Sequence, residues 1–199
     1  MRSWKSLILV TAMLLLVPAA AFANGGWSID ARAGLGIPMG DLKDSFKSGL
    51  LVAVEASKMM TTNLALGVDG NYIKNNPNDA YSAALPTTSD AELKFMHYGV
   101  HGKYMLGTQG SKMMPYMVAG MGLYNVKFEV TDPTPALESK SSDTKFGLRG
   151  GLGMNMMVGQ SWGIGVQADY NDVFTSGSSS QFVGISGGLH FMLSPSSHQ

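Results

Sequence analysis

The chain of 199 residues suits one domain, and charged residues make up only 14% of it, against about 25% in ordinary globular domains. It has no cysteine, which excludes disulfides, zinc ribbons, thiol catalysis and lipid attachment through a cysteine. Basic and acidic residues balance at 14 each and form no basic stripe, so we expect no nucleic-acid partner.

Residues 1–23 have the pattern of a secretory signal peptide. Arg2 and Lys5 precede an apolar run over residues 7–17, and residues 21–23 form an A-x-A cleavage site. The apolar run is short for a membrane-spanning helix. We therefore predict cleavage after Ala23, with an uncleaved N-terminal anchor as the less favoured alternative. Without Arg2 and Lys5, 12 basic residues face 14 acidic ones, a net charge of −2.

Apolar and polar residues alternate with a period of two through the rest of the chain, which predicts eight β-strands. In the first strand, for example, Ile29 and Leu35 share one face and Arg32 lies on the other. No segment after the signal peptide is apolar for long enough to be a membrane-spanning helix. The predicted strands are 27–37, 50–57, 63–73, 93–106, 115–129, 145–157, 162–174 and 181–193.

The fifth predicted strand is ambiguous, because both of its faces carry large apolar residues. One face has Tyr116, Val118, Tyr124, Val126 and Phe128. The other has Met117, Met121 and Leu123, followed by Asn125 and Lys127. We assign the first set to the apolar face, which places Lys127 on the polar face.

The connections between the predicted strands alternate in character. Long or polar loops span 39–49, 74–92, 130–144 and 175–180, and short turns span 58–62, 107–114 and 158–161. Outer-membrane barrels have an even number of strands, long extracellular loops and short periplasmic turns. The sequence thus predicts an all-β fold, an eight-stranded antiparallel up-and-down transmembrane β-barrel over 24–193, with a polar tail at 194–199 and its long loops outside the cell.

Aromatic residues concentrate near both ends of the predicted strands. We expect them to form two girdles, since aromatic rings favour the headgroup level of a membrane. The periplasmic girdle would contain Trp27, Tyr104, Tyr116, Trp162 and Phe191, and the outer girdle Tyr72, Phe128, Phe146, Tyr170 and Phe174.

The polar faces of the strands predict a narrow, filled lumen. They are mostly small residues with isolated charges, and an eight-stranded barrel has room for side chains but not for a wide channel. Because buried charges must be paired or hydrated, we favour an ion-pair network that plugs the barrel over a gated pore or a proton-linked site. The charges expected in the lumen are Asp30, Arg32, Glu55, Asp69, Lys103, Lys127, Lys145, Arg149 and Asp169.

No metal, cofactor or catalytic site is expected. His97 and His101 would lie about 13 Å apart on a strand, too far to share one metal without a third element. Ser186 and His190 are separated in the same way and would need partners from other strands. No trio of nucleophile, base and orienting residue is recognisable from the sequence.

Three short segments carry a resemblance to a known family: 34–42 after the first strand begins, 115–122 in the fifth strand, and 187–191 at the end. They resemble the small outer-membrane β-barrel proteins related to the OmpA transmembrane domain, OmpX and opacity proteins. The resemblance implies a porin-like or OmpA-like monomer in contact with outer-membrane lipid and lipopolysaccharide, folded by the barrel-assembly machinery. That machinery reads a terminal aromatic residue in the family, whereas here Phe191 is followed by eight further residues.

Three functions follow as hypotheses. The favoured one is a non-enzymatic barrel that supports the envelope and displays loops to the environment or a host. The alternative is a narrow pore or a transport route for small or hydrophobic solutes. The third is an embedded lipid-modifying enzyme, which would need a Ser/His/acid site near the outer rim.

Overall fold

The computed structural model describes residues 26–78, 90–107, 111–131, 139–175 and 178–193. The predicted signal peptide, its cleavage site and the tail at 194–199 lie outside the described residues. So do parts of the predicted loops and of one predicted turn.

Eight antiparallel strands form a closed barrel in chain order, and the last strand pairs with the first. The predicted eight-stranded antiparallel barrel is therefore confirmed. Closure pairs both lateral edges of the sheet, as a strand-built membrane protein requires. The strands are β1 (Trp27–Met39), β2 (Gly49–Met59), β3 (Leu64–Asn75), β4 (Asp90–Met105), β5 (Met113–Thr131), β6 (Ser139–Met157), β7 (Trp162–Thr175) and β8 (Ser178–Met192).

The two ends of the barrel differ in their connections. We call the turn end the one with the connections at 60–63, 106–112 and 158–161, and the loop end the opposite one. At the loop end the strands run further than predicted. Most of the predicted loop 130–144 is strand, since Val130 pairs with Ser139, and only residues 176–177 separate β7 from β8. Polar residues can extend a paired strand wherever both of its faces meet water. For that reason the polar composition of these segments wrongly predicted loops.

The first loop folds over the loop end. It forms a short 3-10 helix, Gly40–Asp44, and then buries Phe46, which bridges to Pro77. Asn75 holds it in place by donating hydrogen bonds to the carbonyl oxygens of Gly36 (3.1 Å) and Lys47 (2.8 Å). The loop thus closes over the lumen with an aromatic side chain.

The lumen has two layers. Its loop-end half holds a buried apolar cluster: Phe46, Leu51, Ala53, Ile73, Leu93, Phe95, Tyr124, Val173 and Phe182. The rest of the lumen, from the middle to the turn end, is mostly polar and charged. We expected polar residues along its whole length, and the apolar layer arises because several strands carry apolar residues on both faces near the loop end.

The outward face is apolar over most of its height. On β7, Val166 is 55% exposed whereas Gln167 beside it is 2% exposed, as expected for an apolar outer wall around a polar lumen. In the described part of the chain, no helix has the length and apolar character needed to span a membrane.

The two faces of β5 are the reverse of our assignment for the fifth predicted strand. Tyr116 and Tyr124 are buried in the lumen, and Met117, Met121 and Leu123 are about half exposed on the outward face. The reason is the polar tip of tyrosine. Each hydroxyl finds a buried acceptor inside the barrel, whereas methionine and leucine have no polar group that needs one.

This inversion corrects three residues. Tyr116 and Phe128 share the inward face of β5 and do not belong to an outward girdle, and Lys127 is exposed on the outward face. The other eight aromatic residues lie at outward positions, and their membrane-girdle role remains a prediction: Trp27, Tyr72, Tyr104, Phe146, Trp162, Tyr170, Phe174 and Phe191.

Candidate functional site

The polar layer of the lumen is a hydrogen-bonded network to which every strand contributes. Its members come from distant parts of the sequence and meet only because the barrel closes. In strand order from β1 to β8, a representative set is Asp30, Glu55, Asp69, Lys103, Tyr116, Arg149, Gln167 and His190, all more than nine-tenths buried.

Glu55 lies at the centre of the network. Its Oε1 accepts a hydrogen bond from Arg149 Nη2 at 2.8 Å and also pairs with Arg32. Its Oε2 lies 2.7 Å from the Lys103 ammonium group. One carboxylate therefore faces three cations from three other strands, and this satisfies the requirement that a buried charge be paired.

Asp30 extends the network towards the turn end. The Lys103 Nζ that pairs with Glu55 also donates to Asp30 Oδ2 at 2.7 Å. His190 Nδ1 donates to Asp30 Oδ1 at 2.8 Å, which links β8 to β1 across the barrel closure. Lys103 therefore bridges two acids, and its ammonium group also lies 5.1 Å from the centre of the Tyr116 ring.

Asp69 extends the network towards the middle of the barrel. Its two oxygens accept hydrogen bonds from His97 Nε2 and His101 Nδ1, each at 2.8 Å. Arg149 Nη2 lies 3.4 Å from the same carboxylate. The two histidines that a single strand holds apart thus meet at one acid from the neighbouring strand.

Gln167 connects the network to β5 and to Asp169. It donates to both oxygens of Asp169, at 2.8 and 2.9 Å, and its Oε1 accepts from the Tyr116 hydroxyl at 2.7 Å. With neutral histidines, the lumen network holds four acids and three bases, a net charge of −1: Asp30, Glu55, Asp69 and Asp169 against Arg32, Lys103 and Arg149.

The two remaining charges that we expected in the lumen lie elsewhere. Lys127 follows the inverted parity of β5 to the outside. Lys145 lies on the inward side of β6 but at the loop end, where it is partly exposed and pairs with Asp143 at 2.6 Å. Lys127 is separated from the network by the barrel wall, and Lys145 lies beyond the level of the network on a strand that continues into polar surroundings.

Glycines make room for the large side chains of the lumen. A Cβ atom at Gly153 would lie 2.3 Å from the Tyr116 ring, and one at Gly67 would lie 2.8 Å from His101 Nε2. Both positions must lack a side chain, because a bulky side chain from the next strand crosses over them.

A serine, a histidine and an acid come together in the order of a catalytic triad. Ser57 Oγ lies 2.8 Å from His101 Nε2, and His101 Nδ1 lies 2.8 Å from Asp69. Because Nδ1 donates to the carboxylate, a neutral His101 presents Nε2 as the acceptor for the Ser57 hydroxyl. Sequence reasoning missed this trio because its members lie on β2, β4 and β3 and meet only through strand register.

The trio is enclosed by the lumen. Ser57 is 1% exposed and His101 is 4% exposed, so a substrate carbonyl has no approach to the hydroxyl in this conformation. The pair of Ser186 and His190 that we considered from the sequence is not formed, since His190 bonds to Asp30 rather than to Ser186. Among the described residues, no three His, Asp or Glu side chains are arranged to hold a metal ion.

A family model described as the outer membrane protein beta-barrel domain matches residues 8–191. The chain belongs to this family. Among proteins with curated descriptions, none matches the sequence. The family places the protein in the bacterial outer membrane, in agreement with the porin-like and OmpA-like character expected from the sequence.

Solved structures share the fold at low sequence identity. Neisserial surface protein A is 20% identical over 83% of this chain and 96% of its own, with a TM-score of 0.61. A major outer membrane protein of Thermus thermophilus is 13% identical over 84% of this chain and 99% of its own, with a TM-score of 0.61. OprG of Pseudomonas aeruginosa is 13% identical over 86% and 98%, with a TM-score of 0.54.

Proposed function

We propose that this protein is a closed, non-conducting and non-enzymatic barrel that anchors loops on the cell surface and supports the envelope. The observation that carries the proposal is the buried network around Glu55, in which charged groups from across the barrel neutralise one another. With the lumen filled in this way, the loops at the ends of the barrel are the part of the molecule left to contact the surroundings of the cell.

The two layers of the lumen act together against ion flow. An ion entering from the turn end would have to separate the pairs of Glu55 and Asp30, which costs several kcal/mol per unpaired charge. An ion entering from the loop end would meet the apolar cluster beneath Phe46, where nothing replaces its hydration shell. These features favour the structural role over the alternative of a narrow pore for small or hydrophobic solutes.

The enclosed trio supports a structural role rather than catalysis. Ser57, His101 and Asp69 satisfy one another's hydrogen bonds, as buried polar groups must. The hypothesis of a lipid-modifying enzyme needs a nucleophile that opens to the membrane near the outer rim. Ser57 instead lies near the turn end and faces the lumen.

Orientation, processing and partners complete the proposal. Residues 1–23 would be removed during export, and the loop end would face outward, since the long connections of such barrels are extracellular. The barrel-assembly machinery would read Phe191, whose ring lies on the outward face of the last strand. The protein would act as a monomer that contacts outer-membrane lipid and lipopolysaccharide.

Conductance in planar lipid bilayers tests the closed lumen. We expect the purified wild-type protein to give no stable current steps. The double variant Glu55→Ser with Arg149→Ser removes one acid and one base together, so the net charge is kept while the centre of the network is opened. If it folds, as judged by the shifted gel mobility of an unheated barrel, it should conduct. Steady single-channel current from the wild-type protein would contradict the proposal.

A further inference from the structure

Five of the strands carry, at the turn end, a methionine on the lumen side. Strands β2, β4, β6 and β8 each end at this methionine, and in β5 it is the second residue of the strand. No spacing along the chain indicates the set, because each member comes from a different strand. We call the set the methionine ring: Met59, Met105, Met114, Met157 and Met192.

Strand alternation fixes the direction in which the ring points. Each member lies two residues from a side chain that is more than nine-tenths buried in the polar layer, and residues two apart share one face of a strand. The ring itself is partly exposed, so it lines the mouth of the lumen next to the network. The buried neighbours are Ser57, Lys103, Tyr116, Asn155 and His190.

The five methionines lie at one level of the barrel. Strand pairing, followed around the barrel with the stagger that tilted strands impose, places them within about two residues of one another in height. At that level β1, β3 and β7 contribute small residues: Ser28, Ala65 and Gly163. Since an eight-stranded barrel is only wide enough for its side chains, the geometry directs five thioethers towards a common axis.

His190 adds a nitrogen donor on the network side of the ring, two residues from Met192 on the same face of β8. Its Nδ1 donates to Asp30 at 2.8 Å, and the Asn155 amide lies 3.2 Å from the same nitrogen. In a neutral imidazole Nε2 then keeps its lone pair, and in the described part of the chain it has no hydrogen-bond partner. A carboxylate on the other ring nitrogen is the usual support of a metal-binding histidine.

Packing alone does not call for sulfur at this mouth. The apolar cluster that closes the other end of the lumen is built from aliphatic and aromatic residues, with no methionine among its described members. Thioethers are soft ligands that select Cu(I), and imidazole also binds copper, whereas both are poor ligands for Mg²⁺ or Ca²⁺.

The charge of the neighbouring network favours a cation of single charge. Thioethers and a neutral imidazole bring no charge of their own, so the ion bound by them keeps its full charge. With neutral histidines the network has a net charge of −1, which one monovalent cation at the mouth balances.

We propose that the methionine ring and Nε2 of His190 form a binding site for one soft monovalent metal ion, Cu(I) in the cell. Under the proposed orientation, the turn end and therefore the mouth face the periplasm. The site itself is a property of the barrel and is measurable on the purified protein in detergent. Ag(I) has the same charge and similar softness and keeps its oxidation state, so it is the second probe.

The test compares two triple variants that each replace three methionines by leucine of similar volume. The ring variant combines Met105→Leu, Met157→Leu and Met192→Leu. The matched control combines Met117→Leu, Met121→Leu and Met156→Leu, which are exposed on the outward face. Folding of each protein is checked by the gel mobility of the unheated barrel. Competition with a coloured Cu(I) chelator, in ascorbate to keep the metal reduced, then gives each affinity for Cu(I).

We expect the wild type and the control to bind one Cu(I) per chain with equal affinity. The ring variant should bind about 100-fold more weakly or less, because even a residue that only supports a ligand contributes 10–100-fold to metal affinity. Excess Zn²⁺ should not displace Cu(I). No binding by the wild type, equal affinities of the two variants, or displacement by Zn²⁺, which would identify histidine and carboxylate as the ligands, would each overturn the proposal.

Nuclear magnetic resonance of the wild-type protein tests the site without relying on a variant that folds. With ¹³C in the methionine methyl groups, added Ag(I) should move the resonances of the ring and leave those of Met117 and Met121 unchanged. The ¹⁵N resonance of His190 Nε2 should leave the position of a free lone-pair nitrogen. Shifts at the outward methionines instead, or an unchanged His190 Nε2, would contradict the proposed site.

The metal site and the closed lumen are tested separately. A barrel that binds no Cu(I) would still give no current steps in planar bilayers. A barrel that conducts would still present the ring at its mouth, and its affinity for Cu(I) would be measured in the same way.

Discussion

The two layers of the lumen achieve closure by different physical means. In the polar layer each contact is directional and joins particular atoms, as where Lys103 bridges Asp30 and Glu55. In the apolar layer, Phe95 and Phe182 pack 5.3 Å apart between ring centres and exclude water without a required partner. The polar layer is therefore the one that can specify strand register, and the apolar layer is the one that tolerates exchange of one apolar side chain for another of similar volume.

The comparison predicts that the largest loss of stability comes from the centre of the polar layer. Glu55→Ala should lower the free energy of unfolding by about 3–5 kcal/mol, because it leaves Arg32, Lys103 and Arg149 buried without their shared acid. The measurement is urea unfolding of the protein refolded in lipid vesicles.

Glu92→Ala is the matched control for this prediction. Glu92 also pairs with two cations, Lys74 and Lys94, but at the partly exposed rim. Its loss should cost at most about 1 kcal/mol. If the two variants lose equal stability, burial does not distinguish the network from a surface ion pair, and the comparison between the layers fails.

A smaller loss is expected from the apolar layer. Ile73→Ala should cost roughly 3 kcal/mol, since Ile73 is 1% exposed and its removal leaves a cavity in the apolar cluster. Ile164→Ala, on the lipid-facing side of β7, is the control and should cost clearly less, because lipid chains can fill the space. The same vesicle unfolding assay applies, and a loss at Ile73 no larger than the loss at Ile164 would show that the apolar layer is not tightly packed.

The same contrast explains what the sequence could predict. At the level of the apolar wall a charge marks the inward face, so Asp30, Arg32, Glu55 and Asp69 could be assigned to the lumen from alternation alone, whereas near the loop end charges lie on both faces, as Lys127 shows. Alternation gives no signal where both faces are apolar, and for that reason Phe95, Val173 and Phe182 were missed as a layer. The fifth strand failed for the same reason, since Tyr116 and Met117 are both large and apolar and only the tyrosine hydroxyl distinguishes them.

Contacts between strands were beyond the reach of the sequence. The expected lumen charges formed a set without pairs, because pairing depends on strand register and on the glycines that let large side chains cross. Asp69 meets His97 and His101 because Asn71 is directly opposite His97 and Gly67 opposite His101, which leaves Asp69 between them on the neighbouring strand. No spacing along one strand encodes that arrangement.

The smallest expected effect concerns Ser57, which tests whether the polar layer contains chemistry or only structure. Ser57→Ala removes one neutral hydrogen bond to His101 and should cost about 1 kcal/mol of unfolding free energy. If the trio is structural, a fluorophosphonate probe should not label the folded wild-type protein, because the hydroxyl is enclosed. Labelling of the wild type but not of Ser57→Ala would show that the lumen opens to reagents and that His101 activates the serine.

Ser186→Ala is the control. Ser186 is also buried in the lumen, but it lies on β8, which β1 separates from the Ser57 strand β2. Absence of labelling together with a stability loss confined to Ser57→Ala would identify the hydrogen bond itself, rather than a reaction, as the contribution of this serine.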